Sequence, residues 1–215
     1  LLCPIGSYSS QWANSYAGHF LITAKGMGYA VPASLYDGWL KAQKNHARET
    51  GNKDGYESTD AYTLFTLAVA EAADFNAMNR LKEKLASRTD DSSNYRVARW
   101  LLATAYATAG VTDTANELLS MGENIPTDYN WAGYNYGSRL RDGALLAMTY
   151  NRSQRPTEAW EVTQDIATQL STGDWYSKQS LAWSLMALAD YFDASGAVES
   201  HPVSWRINRG VEEHT

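Results

Sequence analysis

Three segments of the chain combine carboxylates with tyrosine and tryptophan, residue types that bind sugar rings or protein surfaces. They are residues 52–62, 128–141 and 173–179. Aromatic rings with a polar tip suit places where one side is dry and the other is wet. Within these segments we single out the following candidate binding or interface residues: Tyr56, Tyr129, Trp131, Tyr134, Tyr136, Arg139, Arg141, Asp142, Trp175 and Tyr176.

The same segments hold the carboxylates that a hydrolase acting on polysaccharide would need. A glycosidase places two carboxyl groups on opposite sides of the scissile bond, at a separation that the sequence does not give. Asp60 and Asp174 lie close to predicted helix starts, where an anionic side chain simply complements the helix N-terminus. We therefore favour packing or a domain interface over catalysis, and predict no catalytic residue. The carboxylates considered are Asp54, Glu57, Asp60, Asp128, Asp142 and Asp174.

The most specific polar cluster is formed by Arg139, Arg141 and Asp142. An arginine can clamp a carboxylate with two parallel hydrogen bonds, so this cluster could bind an acidic ligand. The alternative, which we favour, is a helix start that is tied to the neighbouring helix pair.

Metal and cofactor chemistry finds little support in the sequence. His19 lies in a predicted helix beside aromatic and apolar residues, a position typical of a packed side chain, and His46 lies near a helix end. The single cysteine, Cys3, excludes an internal disulfide and a cysteine-built zinc site. Motifs for phosphate, dinucleotide or metal binding are absent, so we predict no metal and no cofactor.

The composition bounds the class of protein. The 215 residues are 44% hydrophobic and 20% charged, which is typical of a globular chain. The net charge is −6 and no basic cluster interrupts it, so no nucleic-acid partner is expected. Apolar runs are far shorter than the ~20 residues of a membrane-spanning helix. The chain begins at Leu1 without an export signal, and we expect it to be a piece of a longer protein.

Hydrophobic periodicity predicts an all-α fold of nine helices. Similar apolar, alanine-rich helix cores begin at Ala61, Ala98, Gly143 and Ala182, which are 37, 45 and 39 residues apart. Helix pairs of this length stack into an open solenoid or close into a ring. We predict one helical domain over residues 1–192. The tail after it, residues 193–215, has little periodicity and is predicted to be irregular or the edge of a next domain. The predicted helices cover residues 10–25, 32–48, 58–73, 75–85, 92–109, 114–121, 138–150, 156–170 and 177–192.

Three segments in order resemble the helical thioester domain of bacterial alpha-2-macroglobulins. Residues 12–32, WANSYAGHFLITAKGMGYAVP, resemble a stretch of that family with Tyr-Ala-x-His-Phe-Leu, Gly-Tyr and Val-Pro. Residues 136–146, YGSRLRDGALL, are similar to its Tyr-Gly-Ser and Arg-Asp segment. Residues 175–188, WYSKQSLAWSLMAL, are similar to its Trp-Tyr-Ser-Thr-Gln stretch, with Lys178 in place of the usual Thr. The resemblance covers about residues 8–192.

This resemblance implies an α/α toroid, a ring of helical hairpins, which would be incomplete if some helices are missing from the chain. It implies a part of a protease-trapping inhibitor, with neighbouring domains and trapped proteases as partners and a periplasmic or cell-envelope location. Many family members carry a thioester between a Cys and a Gln in a Cys-x-Glu-Gln motif. Here Cys3 is followed by Pro4, Ile5 and Gly6, so that chemistry is absent from this chain.

Three hypotheses follow from the sequence. The leading one is a non-catalytic domain of an alpha-2-macroglobulin-like inhibitor, in which the aromatic segments form interfaces. The second is a toroid enzyme acting on polysaccharide, and the third is a tetratricopeptide-like solenoid that binds peptides. An incomplete ring would leave apolar faces uncovered, so we also expect the chain to self-associate.

Overall fold

The structure is a computed structural model, which describes residues 10–88, 92–122, 125 and 137–196, together with the backbone of two short strands. All nine predicted helices are confirmed within these residues. They are α1 (Gln11–Gly26), α2 (Ala33–Ala47), α3 (Glu57–Val69), α4 (Phe75–Ala86), α5 (Ser93–Thr108), α6 (Thr112–Ser120), α7 (Arg139–Arg152), α8 (Pro156–Ser171) and α9 (Lys178–Ser195).

Helix starts follow the capping residues in the sequence. The side chains of Ser10, Asp74, Ser138 and Ser177 each accept a hydrogen bond from the backbone N–H three residues later. Such caps satisfy donors that have no partner inside the helix. The largest difference in bounds is at α3, for which the pattern predicts an end at residue 73. It ends at Val69, because Glu71 takes a left-handed conformation with φ of 57° and turns the chain towards α4.

The helices form two layers, with α1, α3, α5, α7 and α9 inside and α2, α4, α6 and α8 outside. Most side chains of α3, α5 and α7 are buried, as expected for helices that are covered on several sides. By contrast, α4 buries a single stripe formed by Ala77, Met78, Leu81 and Leu85. Helix pairs with one inner and one outer member are therefore the repeating unit.

The inner helices run parallel and in register. Near their starts, Ser58 of α3 donates to Asn94 of α5 over 2.6 Å, and the hydroxyls of Ser138 and Ser180 lie 2.8 Å apart between α7 and α9. Near their ends, Asn151 of α7 donates to the Asp190 side chain of α9 over 2.9 Å. The starts therefore lie at one end of the domain, which we call the loop end.

The inner row curves back on itself. Tyr62 of α3 contacts Trp183 of α9, with ring centroids 5.5 Å apart, although α5 and α7 lie between these helices in the order of packing. Trp12 of α1 packs on the same Tyr62 ring at 4.6 Å. The guanidinium of Arg141 in α7 lies 5.3 Å from the Trp12 ring. Aromatic side chains thus fill the centre of the curve.

The tail contains two strands that the sequence pattern does not predict. Strands β1 (Val203–Trp205) and β2 (Glu212–His214) pair antiparallel, with Val203 opposite His214. Three residues are too few for the alternation of a strand to be recognisable in the sequence. In the part of the chain that the structure describes, no helix combines the length and hydropathy needed to cross a membrane.

Candidate functional site

Two of the three aromatic segments contain aromatic candidate residues that the structure describes. Each of these residues stands just before an inner helix and therefore lies at the loop end. Tyr56 directly precedes α3, and Trp175 and Tyr176 precede α9. The remaining aromatic candidates, together with Asp128, lie outside the described residues: Tyr129, Trp131, Tyr134 and Tyr136.

Tyr56 and Trp175 project into solvent, with 53% and 89% of their surfaces exposed. Trp175 belongs to an ordered turn. The hydroxyl of Tyr176 donates to the carbonyl of Gln169 over 3.0 Å, and Thr172 donates to Asp174 over 2.9 Å. Because hydrogen bonds already order this turn, an exposed tryptophan in it can bind a partner surface without the entropic cost of ordering the backbone.

The arginine cluster divides into an exposed part and a buried part. Arg141 and Asp142 are 1% and 0% exposed, form an ion pair, and place Arg141 against Trp12. This buried pair therefore links α7 with α1. Arg139 is exposed and pairs with Asp165 of α8 at 3.4 Å. The three residues therefore contact different neighbours: Arg141 and Asp142 lie beside α1, and Arg139 pairs with α8.

The candidate carboxylates that the structure describes all have partners. Asp54 pairs with Lys84 and Arg88, whose hydrogen bonds lower the pKa of this carboxyl. The other described carboxylates have the following partners: Glu57 pairs with Lys84, Asp60 with His46, Asp142 with Arg141, and Asp174 with Thr172. A catalytic carboxyl group must lie within hydrogen-bond reach of its substrate, whereas these side chains already contact partners within the protein. Their contacts are structural.

His19 is packed, as the sequence predicts. It is 5% exposed, its Nδ1 lies 3.3 Å from the Tyr62 hydroxyl, and its ring contacts Trp183 at 5.5 Å. Burial, together with the positive charge of Arg152, lowers the pKa of His19 to about 3. The ring is therefore neutral at physiological pH. Among the described residues, no group of three potential ligands could hold a metal ion.

Sequence reasoning did not locate an apolar groove between α1, α2 and α9, which we call the gap groove. Its volume is about 550 Å³, and Phe20 on its wall is 70% exposed. Leu185, which neighbours the lining residues on α9, is 63% exposed. The signal in the sequence is that α1 and α9 are apolar on more than one side. The lining comprises Tyr16, Ala17, His19, Phe20, Leu21, Thr23, Leu35, Ala182 and Met186.

The fold is shared with solved bacterial alpha-2-macroglobulin structures. The E. coli protein in its native conformation, determined by cryo-electron microscopy, aligns with 97% of this chain at a TM-score of 0.71 and 20% identity. A Salmonella alpha-2-macroglobulin mutant aligns with 96% of the chain at 0.71 and 20%. A fragment of the E. coli protein that reaches its C-terminus aligns with 96% at 0.69 and 18%. The resemblance seen in the sequence motifs is confirmed at the level of the fold.

The chain corresponds to a small part of those proteins. It covers 13% of the E. coli protein, 14% of the Salmonella protein and 33% of the fragment. Neither a protein-family model nor a curated protein matches the sequence. Two further similar structures show the E. coli protein activated by trypsin and by porcine elastase.

Proposed function

We propose that this chain is a non-catalytic helical domain of an alpha-2-macroglobulin-like protease-trapping inhibitor. The observation that carries the proposal is the fold shared with bacterial alpha-2-macroglobulins over 96–97% of the chain. The forms of the E. coli protein activated by trypsin and elastase support proteases as partners. By the same likeness, we propose a periplasmic or cell-envelope location.

Within such an inhibitor, the loop end would be the contact surface. The exposed rings of Tyr56 and Trp175 support this role, because large aromatic side chains dominate binding energy at protein interfaces. The partners would be neighbouring domains or the captured protease. Tyr129, Trp131, Tyr134 and Tyr136 remain predicted members of the same surface.

We further propose that the four helix pairs and α9 belong to an α/α toroid. The curvature of the inner row and the contact between His19 of α1 and Trp183 of α9 support a ring. The gap groove would then receive a further helix pair of the inhibitor, because its wall is apolar like the surfaces between neighbouring inner helices. This chain would contribute no covalent bond to the captured protease, because no glutamine stands three residues after Cys3 to form a thioester.

No specific observation favours either alternative, the toroid enzyme acting on polysaccharide or the peptide-binding solenoid. The described carboxylates are engaged in hydrogen bonds and ion pairs, which disfavours a polysaccharide-cleaving enzyme. The centre of the curved row is filled by Trp12, Tyr62 and Trp183, which leaves no room there for the extended peptide that a solenoid would bind.

A steric-trapping assay tests the proposal on the complete polypeptide that carries this domain. Trypsin is incubated with it, and activity is then measured on a small chromogenic peptide and on casein. A trap admits the small peptide and excludes the protein substrate, so we expect casein cleavage to fall while peptide cleavage persists. Equal loss of both activities, or no loss of either, would contradict trapping. The control is trypsin incubated with an unrelated protein of similar size, which should leave both activities unchanged.

A further inference from the structure

The loop before α3 and the first residue of that helix, together residues 51–57, gather their oxygen atoms around one side chain. Four of these oxygens surround the Nζ atom of Lys84, which reaches them from α4. The carbonyls of Lys53 and Gly51 lie 2.6 and 3.2 Å from Nζ, and the carboxylates of Glu57 and Asp54 lie at 2.9 and 3.0 Å. An ammonium has three N–H donors, so four acceptors exceed what simple pairing requires.

The shell around these oxygens holds them in place. Glu57 is fully buried, and Asn94 of α5 donates to its second oxygen over 2.8 Å. The backbone N–H of Gly51 donates to Asp60 over 3.0 Å. These contacts anchor both ends of the loop, at Gly51 and Glu57, whereas the carbonyl of Lys53 between them accepts from Lys84. We call the four oxygens around Nζ the cage.

Charge supports the same interpretation. Two carboxylates face one ammonium, and Arg88 supplies a second positive charge by pairing with Asp54 at 2.7 Å. Burial by itself would lower the pKa of Lys84, but the hydrogen bonds to Glu57 and Asp54 raise it above its usual value. The lysine therefore stays a cation in a position where 15% of its side chain is exposed.

We propose that residues 51–57 form a cation-binding loop, and that the ammonium of Lys84 is the cation around which the loop closes. The ammonium, which is attached to the chain, takes the place that a free cation would occupy in a cation site. Its positive charge holds together carbonyl and carboxylate oxygens that would otherwise repel each other. Without this ammonium, the middle of the loop, which includes Tyr56, opens. The cage works in this way whether or not the domain belongs to a protease trap.

The experiment uses limited trypsin digestion, because Lys53 in the loop is exposed and its carbonyl is a member of the cage. Cleavage after Lys53 is followed by mass spectrometry in the wild type, in Lys84→Ala and in Lys82→Ala. Lys82 is a matched control on the same helix, and it pairs with the exposed Glu117 at 3.1 Å. We expect cleavage after Lys53 to accelerate about tenfold in Lys84→Ala and not in Lys82→Ala, because proteolysis follows the population of the opened loop.

Chemical rescue separates a cation site from a merely structural lysine. Methylammonium, which can donate three hydrogen bonds, is expected to restore protection in Lys84→Ala, whereas tetramethylammonium at equal ionic strength is not. The proposal is overturned if cleavage after Lys53 is no faster in Lys84→Ala than in the wild type. It is also overturned if methylammonium restores no more protection than tetramethylammonium.

A second variant covers the case in which Lys84→Ala does not fold, as judged by circular dichroism. Asp54→Asn removes one cage carboxylate from a side chain that is 72% exposed, so folding is not at stake. We expect a smaller acceleration of cleavage after Lys53. No acceleration in Asp54→Asn would count against the cage.

Discussion

The loop end and the gap groove are built in opposite ways. At the loop end, charged side chains such as Asp54, Glu57 and Lys84 are joined in a network, and the aromatic rings of Tyr56 and Trp175 project from ordered backbone. Around the gap groove the wall is apolar, and the side chains of Phe20 and Leu185 are exposed.

The difference teaches how each surface meets a partner. A polar surface whose groups are already satisfied is stable in water and can bind and release. A continuous apolar surface is stabilised only when something covers it. The following predictions compare the two regions, from the largest expected effect to the smallest.

The largest contrast is between two tryptophans on either side of the start of α9. Trp183 is fully buried against Tyr62 and His19, and Trp175 is 89% exposed. Trp183→Ala leaves a cavity and is expected to lower the free energy of unfolding by about 3–5 kcal/mol. Trp175→Ala is expected to change it by less than about 0.5 kcal/mol. Urea denaturation measures both, and similar losses in the two variants would abolish the contrast.

The two described histidines give a pH-dependent contrast. His19 is neutral in the folded chain, with a pKa of about 3, but is protonated below pH 6.5 when unfolded. The unfolded state then binds more protons, so stability is complete above pH 6.5 and falls as the pH is lowered towards 3. The loss from His19 is about 3 kcal/mol at pH 4.

His19→Phe keeps an aromatic ring without a titrating group and should flatten the stability profile between pH 6.5 and 4. His46→Gln removes the histidine that pairs with Asp60 near the loop end, and it should leave the His19 contribution in place. Thermal melts across this pH range compare the three proteins. A wild-type profile that is already flat would show that His19 is not held neutral by burial.

The packing of α1 on α2 depends on a single glycine. A Cβ atom at Gly18 would overlap the Trp39 ring, which is fixed by a hydrogen bond of 3.2 Å from its Nε1 to the carbonyl of Asn14. Gly18→Ala is therefore expected to destabilise the fold by about 1–3 kcal/mol. Gly38→Ala is the control, because nothing lies within 4 Å of its Cβ position in α2.

Alanine favours a helix interior more than glycine does, so Gly38→Ala should be neutral or stabilising by up to about 1 kcal/mol. Chemical denaturation of both variants decides the matter. Equal changes in the free energy of unfolding of the two variants would show that α1 and α2 can move apart to accommodate the methyl group at position 18.

The smallest effect on folding, but a clear effect on association, is expected at the gap groove. The uncovered wall should make the chain self-associate as its concentration rises. The double variant Phe20→Ser and Leu185→Ser changes two exposed side chains, so it should reduce association with little change in unfolding free energy. Sedimentation velocity over a range of concentrations is the measurement, with Trp175→Ser as the control at the loop end. A wild-type chain that stays monomeric throughout would contradict this expectation.

Local features of the sequence determine the helices. Caps such as Ser10, Asp74 and Ser177 act within one turn, and the apolar spacing within each helix marks the side that is buried. The packing of His19 could be predicted for the same reason, because its helical neighbours are aromatic and apolar. The apolar spacing does not locate the end of α3, because the left-handed turn at Glu71 leaves no mark in the hydrophobic pattern.

The tertiary structure alone decides which of these faces meet. Periodicity shows that α1 and α9 are apolar, but it does not show that their contact is partial and leaves the gap groove open. Likewise, the sequence groups Arg139, Arg141 and Asp142, and only packing separates the exposed first residue from the buried pair beside Trp12. Helix formation depends on neighbours within a turn, whereas the curvature of the row depends on contacts such as that between Tyr62 and Trp183, more than a hundred residues apart.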